Sequence, residues 1–295
     1  MEKNLDGKKI SLEIKNQIQE ICKNYNKTEL PTLGILQVGN LEESNIYVKH
    51  KMQMAESLGL GAILVKLQED SSEQEIKKAI KSLSNQTDGL IVQLPMISKN
   101  IKNVQELLNE IPFEKDIDGL TSFNLDSNYS NDCQFLPATA KGIILLLKAY
   151  NIDFSNKIVG VVGQSNIVGK PLSKYFEKRA LKTFSYTKET PKDTLKLADL
   201  VIVATGQKNA VTVDMLKDNV ILVDVGIHRD ANNKISGDMD YKECLKKCSL
   251  ITPVPGGVGP MTVIALIINL IKAYVKKHQN KSQIFQSLFH LFKPI

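Results

Sequence analysis

The sequence predicts an α/β fold of two domains, each built on a parallel sheet. Short β-rich apolar runs alternate with helical patterns along the chain, and this order is typical of parallel strands covered by helices on both faces. The length of 295 residues is at the upper limit for one hydrophobic core, which favours two domains. A glycine-bounded turn in the second half predicts a Rossmann-like nucleotide-binding domain there.

The elements follow one another in alternating order, with a domain boundary near residue 140. Apolar runs predict strands at 32–39, 61–67, 89–95, 157–163, 198–206 and 219–226. Helical periodicity predicts helices near 8–24, 42–58, 72–84, 101–110, 139–150 and 168–178. The polar stretch 121–134 has the composition of a loop.

Composition and charge exclude several classes of protein. The net charge of +6 comes from Lys and Arg scattered among acids, so no basic stripe favours nucleic-acid binding. The first nine residues lack the apolar core of a signal peptide, and the apolar run 263–271 is too short to span a bilayer. We therefore expect a cytoplasmic protein with neither a nucleic-acid nor a membrane partner.

The four cysteines do not form a disulfide framework. Cys244 and Cys248 lie four apart on a predicted helix, but no second pair of ligands follows at the spacing of a zinc site. We expect reduced structural cysteines and no metal.

A lysine occupies the apolar face of the predicted helix 42–58. At about 100° per residue, Tyr47, Val48 and Ala55 share one arc and Lys51 falls in its middle. Ser44, Tyr47 and Lys51 then line the same face. Such a lysine either reaches water by extending its chain or lies in a partly dry site where its pKa falls.

The stretch 157–176 runs from a β-rich strand through a glycine-bounded turn into a helix. Gly163 and Gly169 are six residues apart, and Ser165 takes the place of the middle glycine of a dinucleotide motif. Backbone N–H groups and the helix dipole at such a turn form an anion site. An ordinary strand-to-helix turn is the alternative. The candidate cofactor residues here are Gly163, Gln164, Ser165, Ile167 and Val168.

The preference between NADP and NAD depends on the end of the next strand, within residues 183–190. An acid at this point would bind the ribose 2′-hydroxyl of NAD. Instead the segment offers hydroxyl groups and Lys188, and Glu189 comes late. This pattern favours NADP over NAD.

Three further glycine clusters, at 203–207, 223–229 and 251–263, follow strands or open a helix. Ligands of open α/β sheets lie at the carboxyl ends of strands, and a segment poor in side chains lets a ligand approach the backbone. A tight connection is the alternative for the last cluster. The additional cofactor candidates are Thr205, Gly206, Gly226, Ile227, Gly259 and Thr262.

Five motifs, in order and spacing, resemble the methylenetetrahydrofolate dehydrogenase/methenyltetrahydrofolate cyclohydrolase family over roughly residues 5–278. They are SNIYVKHK (44–51), DGLIVQLP (88–95), KDIDGL (115–120), VVGQSNIVGKP (161–171) and ITPVPGGVGPMT (251–262). The resemblance is silent about residues 279–295.

The resemblance implies a folate-binding catalytic domain (1–140, joined by a C-terminal helix at about 261–295) and a Rossmann-like NADP-binding domain (141–260), with substrate in the cleft between them. It implies oxidation of 5,10-methylenetetrahydrofolate with NADP, hydrolysis of the methenyl product to 10-formyltetrahydrofolate, and a homodimer. The alternatives are a dinucleotide-binding regulator without turnover, a dehydrogenase with weak cyclohydrolase activity, and a two-domain NADP oxidoreductase acting on a small acid.

The resemblance also assigns roles to single residues. Lys51 is the catalytic lysine, Gln93 bonds it, and Tyr47 stacks on the folate while serving catalysis. Asp118 binds the pterin through paired N–H bonds, whereas Asp116 suits a structural turn. The further substrate-binding candidates are Ser44, Pro255, Gly256 and Gly257. His50 and His228 match no catalytic position.

The chain departs from the family pattern around the predicted cofactor site and cleft. Gln164 stands where many members carry an Arg, and the segment at 185–188 differs from the common His-Ser pair. PATAKG (137–142) replaces Pro-Cys-Thr-Pro, and DGLTSFN (118–124) lacks the usual His-Pro. None of these changes removes a group assigned to proton transfer.

Overall fold

The computed structural model describes residues 3–126 and 135–292. Its helices are α1 (Gly7–Cys22), α2 (Glu42–Ser57), α3 (Glu73–Gln86), α4 (Val104–Leu108), α5 (Ser122–Leu125), α6 (Ala138–Ala149), α7 (Gly169–Glu177), α8 (Tyr241–Lys247), α9 (Val258–Lys277) and α10 (Phe289–Phe292). Its strands are β1 (Thr32–Val38), β2 (Gly61–Leu67), β3 (Gly89–Gln93), β4 (Ile158–Val162), β5 (Lys182–Tyr186), β6 (Leu200–Val203), β7 (Val220–Asp224), β8 (His228–Arg229), β9 (Ile235–Ser236) and β10 (Cys248–Ile251).

The chain folds into two compact units. Glu13–Ala138 and the residues from Val263 onward form one, which we call the three-stranded unit after its sheet. The residues up to Leu12 and Thr139–Thr262 form the other, which we call the five-stranded unit. The predicted α/β fold of two parallel-sheet domains is confirmed.

The sheet of the three-stranded unit has the order β2-β1-β3, and both pairings are parallel. Helices α2 and α3 make the crossovers between successive strands, as parallel pairing requires. In this register Gln37 lies beside Gln93 at the carboxyl ends of β1 and β3. Two glutamine side chains therefore lie on neighbouring strands at the carboxyl ends of this sheet.

The sheet of the five-stranded unit has the order β10-β7-β6-β4-β5, and all its pairings are parallel. Strand β5 pairs with one side of β4, and the chain then crosses back so that β6 pairs with the other side of β4. The order of strands thus reverses between β4 and β6, and ligands of doubly wound sheets bind at the carboxyl ends of such a pair. The turn after β4 holds Gly163, and the turn after β6 holds Gly206.

The N-terminal segment pairs with the edge strand β10. Asn4 forms a parallel bridge with Ile251, the Leu5 N–H donates to the Ile251 carbonyl at 2.8 Å, and the Ile251 N–H donates to the Lys3 carbonyl at 2.8 Å. The segment therefore covers an edge whose backbone groups would otherwise be open to pairing with another chain.

Helix α9 follows the proline–glycine cluster, and its central residues Ile264–Ile271 are fully or almost fully buried. Within the described part of the chain it alone is long and apolar enough to cross a membrane, because the apolar run 263–271 extends into a helix of 20 residues. Of its most apolar stretch, 72% is buried inside the protein, which is typical of a core helix.

The tail after α9 is a 3₁₀ helix at Gln279–Leu288 that continues into α10. Its buried residues are Phe285 and Leu288 in the 3₁₀ helix and Leu291 in α10. The ring of Phe285 meets that of Tyr274 edge-on, with centroids 6.3 Å apart. The tail thus packs on the three-stranded unit.

Three predictions of local structure need correction. Cys248 begins β10 and does not lie on a helix with Cys244, because α8 ends at Lys247. The strand β10 itself was missed, since its four residues follow a lysine pair with no apolar run. Within the predicted loop 121–134, Ser122–Leu125 form a helical turn, and 127–134 lie outside the described residues.

Candidate active site

Helix α2 carries Lys51 on its buried face. Ser44, Val48, Lys51 and Ala55 are its buried residues, and their spacing of four, three and four keeps them on one side of the helix. Tyr47 is 41% exposed and is not part of the packed core, which excludes the alternative of plain core packing for its ring. The helix therefore buries an amine and leaves an aromatic ring one turn away facing solvent.

The amine of Lys51 is bound to Gln93. Its Nζ donates to Gln93 Oε1 at 3.0 Å, and only 9% and 8% of the two residues is exposed. The Gln93 Nε2 donates to the Leu94 carbonyl at 2.7 Å, so the amide oxygen is directed at the lysine. This geometry excludes a Gln93 that only caps the strand end toward solvent.

The turn after Lys115 brings two aspartates beside β3, because Leu90 and Asp116 form a parallel bridge. Asp116 is buried and accepts from the N–H groups of Gly119, Leu120 and Thr121 at 2.8–3.1 Å. These bonds give it the structural role in the turn that the sequence predicts.

Asp118, two residues later, is partly buried. Among residues 3–126 and 135–292 its carboxylate has no hydrogen-bond partner. Burial raises the pKa of Asp118, and the Lys51 ammonium opposes that rise. Burial likewise lowers the pKa of Lys51, and Asp118 opposes the fall. The charge of each group thus opposes the effect of burial on the pKa of the other, and the Asp118 carboxylate can accept hydrogen bonds from a ligand.

The glycine turn of the five-stranded unit is closely packed. Gly163 has φ of +96°, and a Cβ there would overlap the Ala204 carbonyl. A Cβ at Gly169 would overlap the carbonyl oxygen of Gly163. Both positions therefore require glycine, and the turn after β4 lies directly against the end of β6.

The other residues of this turn divide between exposed and buried positions. Ser165 is exposed, and its Oγ accepts from the Val168 N–H at 3.3 Å at the start of α7. Ile167 is 40% exposed and Val168 is buried. An exposed isoleucine beside a helix N-terminus offers apolar surface next to N–H donors.

Gln164 is directed toward the protein. Its Nε2 donates to the Val161 carbonyl at 3.2 Å and to Ser173 Oγ at 3.1 Å. The Ser185 Oγ, on β5, donates to Ser173 Oγ at 2.9 Å. The residue that replaces the family's arginine is thus part of a row of hydroxyl and amide groups between α7 and β5.

The clusters after β6 and β7 meet at Asp238, a residue that sequence reasoning missed. Asp238 is 1% exposed and accepts from the N–H groups of Thr205 and Gly206 at 2.8 and 3.0 Å. His228, expected to lie at the surface or just behind the residues that touch a ligand, hydrogen-bonds to the other oxygen of Asp238 at 2.7 Å. The segment SGDMD (236–240) has no apolar run that marks this carboxylate as buried.

The proline–glycine cluster bends sharply before α9. Gly256 has φ of +112°, and its carbonyl accepts from the Lys8 N–H at 2.8 Å. Gly257 is buried, with a Cβ position 2.7 Å from the Pro253 carbonyl oxygen. Pro255 and Gly259 are exposed.

Two of the candidate positions leave open space for a ligand. A Cβ at Gly206 or Gly259 would meet no protein atom within 4 Å. The Thr262 Oγ1 donates to the Val258 carbonyl, within α9, and to Thr139 Oγ1, both at 3.3 Å. Within the described residues, no three His, Cys, Asp or Glu side chains gather in an arrangement that could hold a metal ion.

A parallel sheet whose glycine turns meet at the switch of strand order, together with a separate unit that buries a lysine amine on a glutamine amide, defines a dinucleotide-dependent α/β enzyme. Comparisons with known proteins identify which one. The profile of the tetrahydrofolate dehydrogenase/cyclohydrolase catalytic domain matches residues 5–118, and that of the NAD(P)-binding domain matches residues 137–278. The chain belongs to the tetrahydrofolate dehydrogenase/cyclohydrolase family.

Individual relatives are similar to this chain over almost its whole length. The bifunctional protein FolD of Metamycoplasma arthritidis is 53% identical over 287 residues, which is 96% of this chain and 97% of the relative. The crystal structure of FolD from Campylobacter jejuni has a TM-score of 0.88 and 36% identity, and covers 93% of this chain and 99% of the other. The crystal structure of FolD from Trypanosoma brucei, complexed with NADP and an inhibitor, has a TM-score of 0.85 and 25% identity. The match covers 92% of this chain and 97% of the other.

Proposed function

We propose that this chain oxidises 5,10-methylenetetrahydrofolate to the 5,10-methenyl cation with NADP, and hydrolyses that cation to 10-formyltetrahydrofolate. Membership of the family supports both activities. The observation that carries the proposal is the buried Lys51 amine, which is bound to Gln93 and whose pKa is lowered by burial. A protein that only bound dinucleotide would have no use for a desolvated amine.

The five-stranded unit fits a dinucleotide. Its turns after β4 and β6 lie at the carboxyl ends of the two strands between which ligands of such sheets bind, and space is open at Gly206 and Gly259. When bound, NADP would accept the hydride that leaves the methylene carbon of the substrate. The residues proposed to hold it are Gly163, Gln164, Ser165, Ile167, Val168, Thr205, Gly206, Gly226, Ile227, Gly259 and Thr262.

The end of β5 supports NADP over NAD. An acid at this position would bind a ribose 2′-hydroxyl and repel a 2′-phosphate. The strand ends at Tyr186, and Thr187 and Lys188 follow it, both exposed. The carboxylate of Glu189 bonds to Thr187, which lowers the pKa of that acid. The exposed Lys188 thus offers a cation to a phosphate, beside the exposed hydroxyl-bearing residues Thr187 and Ser185.

The three-stranded unit offers groups for folate. Tyr47 presents an exposed ring that can stack on a flat pterin or aminobenzoyl group. The Asp118 carboxylate can accept the paired N–H groups of a pterin. Ser44 is buried on the same helix face as Lys51, and we assign it, with Pro255, Gly256 and Gly257, to substrate binding.

Hydrolysis needs a base and a placed water. The methenyl cation is already electrophilic, so the enzyme has only to take a proton from water and orient the attack. Burial favours the neutral amine of Lys51, which can take that proton. Gln93 holds the amine in one direction, and no metal or covalent nucleophile is required.

The first experiment measures both reactions with the purified chain. Methylenetetrahydrofolate and NADP should yield NADPH, and the methenyl compound should be hydrolysed without NADP. Lys51→Ala should abolish most hydrolysis while NADP binding persists. Lys49→Ala, which removes an exposed lysine of the same helix, should retain both activities. NADP binding without NADPH formation would favour the regulator, whereas oxidation with very slow hydrolysis would favour a dehydrogenase with weak cyclohydrolase activity.

We further propose that the enzyme is a cytoplasmic homodimer without a nucleic-acid or membrane partner. The scattered distribution of charge and the burial of α9 support the last two statements. Light scattering of the purified chain gives the oligomeric state directly, and a monomeric mass at micromolar concentration would contradict the dimer.

A further inference from the structure

Asp238 binds the loop that follows β6 with a single oxygen. Its Oδ2 accepts from the Thr205 N–H at 2.8 Å, the Thr205 Oγ1–H at 2.8 Å and the Gly206 N–H at 3.0 Å. Gly206 has φ of +65°. Three donors that converge on one buried carboxylate oxygen fix both the backbone and the hydroxyl of this loop.

The other oxygen of Asp238 holds the segment after β7. Its Oδ1 lies 2.7 Å from Nε2 of His228, which follows the candidate cofactor residue Ile227. A Cβ at Gly226 would overlap the same oxygen. Gly226 therefore lies directly against the Asp238 carboxylate, which contacts the segment 226–228 at both of its ends.

A second carboxylate fixes Asp238 in turn. Asp224, at the end of β7, accepts from the N–H groups of Asp238 and Met239, both at 2.9 Å, and from that of Gly226 at 3.1 Å. The Asp224 N–H donates to Thr252 Oγ1 at 2.8 Å, and Thr252 opens the proline–glycine cluster. One chain of hydrogen bonds thus joins the segments after β6, β7 and β10.

We propose that Asp238 is a positioning residue that sets the affinity for the dinucleotide, by holding the loops 205–206 and 226–228 in their binding shape before the ligand arrives. The inference rests on the proposed function, because it assumes that these loops bind NADP. A loop ordered in advance loses less conformational entropy on binding, and the saved free energy appears as affinity. Asp238 itself need not touch the ligand.

Asparagine is the appropriate replacement because it keeps the size of the side chain. Its single amide oxygen can still face Thr205 and Gly206, and its N–H₂ can face a neutral His228. The charge, which makes such hydrogen bonds roughly twice as strong, is lost. The loop should therefore loosen while the unit stays folded.

The test compares Asp238→Asn with Asp230→Asn in the full chain. Asp230 is an exposed aspartate in the turn between β8 and β9, where it caps Asn232 and Lys234. We expect Asp238→Asn to raise both the KM and the calorimetric Kd for NADP roughly tenfold or more. Hydrolysis of the methenyl compound without NADP should stay within twofold of wild type, and Asp230→Asn should leave all these values unchanged.

The two reactions make the outcomes distinct. An unchanged Kd for NADP in Asp238→Asn overturns the inference. Parallel loss of hydrolysis and of NADP binding also overturns it, because it shows that the residue supports the whole fold. If the wild-type chain binds NADP but forms no NADPH, the proposed function fails, whereas a tenfold weaker Kd in Asp238→Asn still supports the positioning role.

Discussion

The Lys51 ammonium donates a 3.0 Å hydrogen bond to the amide oxygen of Gln93. An amide oxygen accepts this bond without supplying a negative charge, so it orients the amine and stabilises the ammonium only modestly. Burial acts in the opposite direction and lowers the pKa of Lys51. The pair thus keeps an amine in place without preventing its deprotonation.

Changing Gln93 should move the pH dependence of hydrolysis. In Gln93→Glu a carboxylate beside Lys51 would stabilise the ammonium and raise the pKa of the lysine. Because hydrolysis requires the neutral amine, its pH–rate profile should shift to higher pH. Gln93→Met removes the acceptor and should shift the profile to lower pH with a smaller kcat. Profiles that coincide with wild type in both variants would exclude Lys51 as the base.

Asp118 should govern the affinity for folate. Replacing it by Ala removes the acceptor of two N–H bonds, and hydrogen bonds to charged groups contribute about 1.5–3 kcal/mol. We therefore expect the Kd for folate to rise roughly tenfold or more and the Kd for NADP to stay unchanged. Calorimetric titrations with each ligand give both values. Equal folate affinity in Asp118→Ala and wild type would count against the pterin contact.

Tyr47 should contribute to binding through its ring and little to stability, since it is 41% exposed. Tyr47→Phe should keep the folate affinity, whereas Tyr47→Ala should lose about 1 kcal/mol, or roughly fivefold in Kd. Thermal unfolding of both variants should match wild type. A large fall in the melting temperature of Tyr47→Phe would indicate instead that the hydroxyl supports the fold.

Asp224 should make stability depend on pH. Burial raises its pKa from 3.8 to about 6, against several backbone hydrogen bonds that lower it. The native state then binds a proton more tightly than the unfolded state. Its contribution to the unfolding free energy is complete below about pH 4 and is lost as the pH rises through about 6, an effect of about 3 kcal/mol. Urea unfolding should show this dependence in wild type and not in Asp224→Asn; identical pH profiles would contradict it.

Gly259→Ala tests whether the cofactor approaches the start of α9. The added methyl group meets no protein atom within 4 Å, and alanine favours a helix over glycine by up to about 1 kcal/mol. Stability should therefore stay equal or increase, while the Kd for NADP rises because the methyl group occupies the space of the ligand. For contrast, Gly142→Ala should destabilise the protein, since its Cβ would lie 2.7 Å from the Met261 carbonyl oxygen. Unaltered NADP affinity in Gly259→Ala would exclude the contact.

The sequence predicts most strands of the two sheets, because β1–β4, β6 and β7 are apolar runs bounded by turn residues, but it misses β10, which has no such run. The burial of Lys51 follows from the helical period alone. Lys51 lies between Val48 and Ala55 on the same face of the helix, so it is buried with them. Tyr47 shares that face in projection yet stays exposed. The helical period predicts the direction in which a side chain points. It does not predict how much of that helix face is covered by the rest of the protein.

The role of Asp238 could not be predicted from the sequence. Its hydrogen-bond donors Thr205 and Gly206 lie more than thirty residues earlier in the chain. Only the pairing of β6 with β7 in the sheet brings them close to Asp238. A buried carboxylate looks like any exposed one in a polar segment such as SGDMD. Its signal is indirect, in Gly226 and Gly237, each of which lies too close to a carboxylate to carry a side chain.

The pairing of residues 3–5 with Ile251 has a consequence for biosynthesis. The two partners are about 250 residues apart, so at roughly 5–20 residues per second the ribosome needs on the order of 10–50 s after making the first partner before the second exists. During that time residues 3–5 have no strand to join. A chaperone that binds residues 3–5 for this interval should therefore delay maturation of the five-stranded unit without altering the finished enzyme.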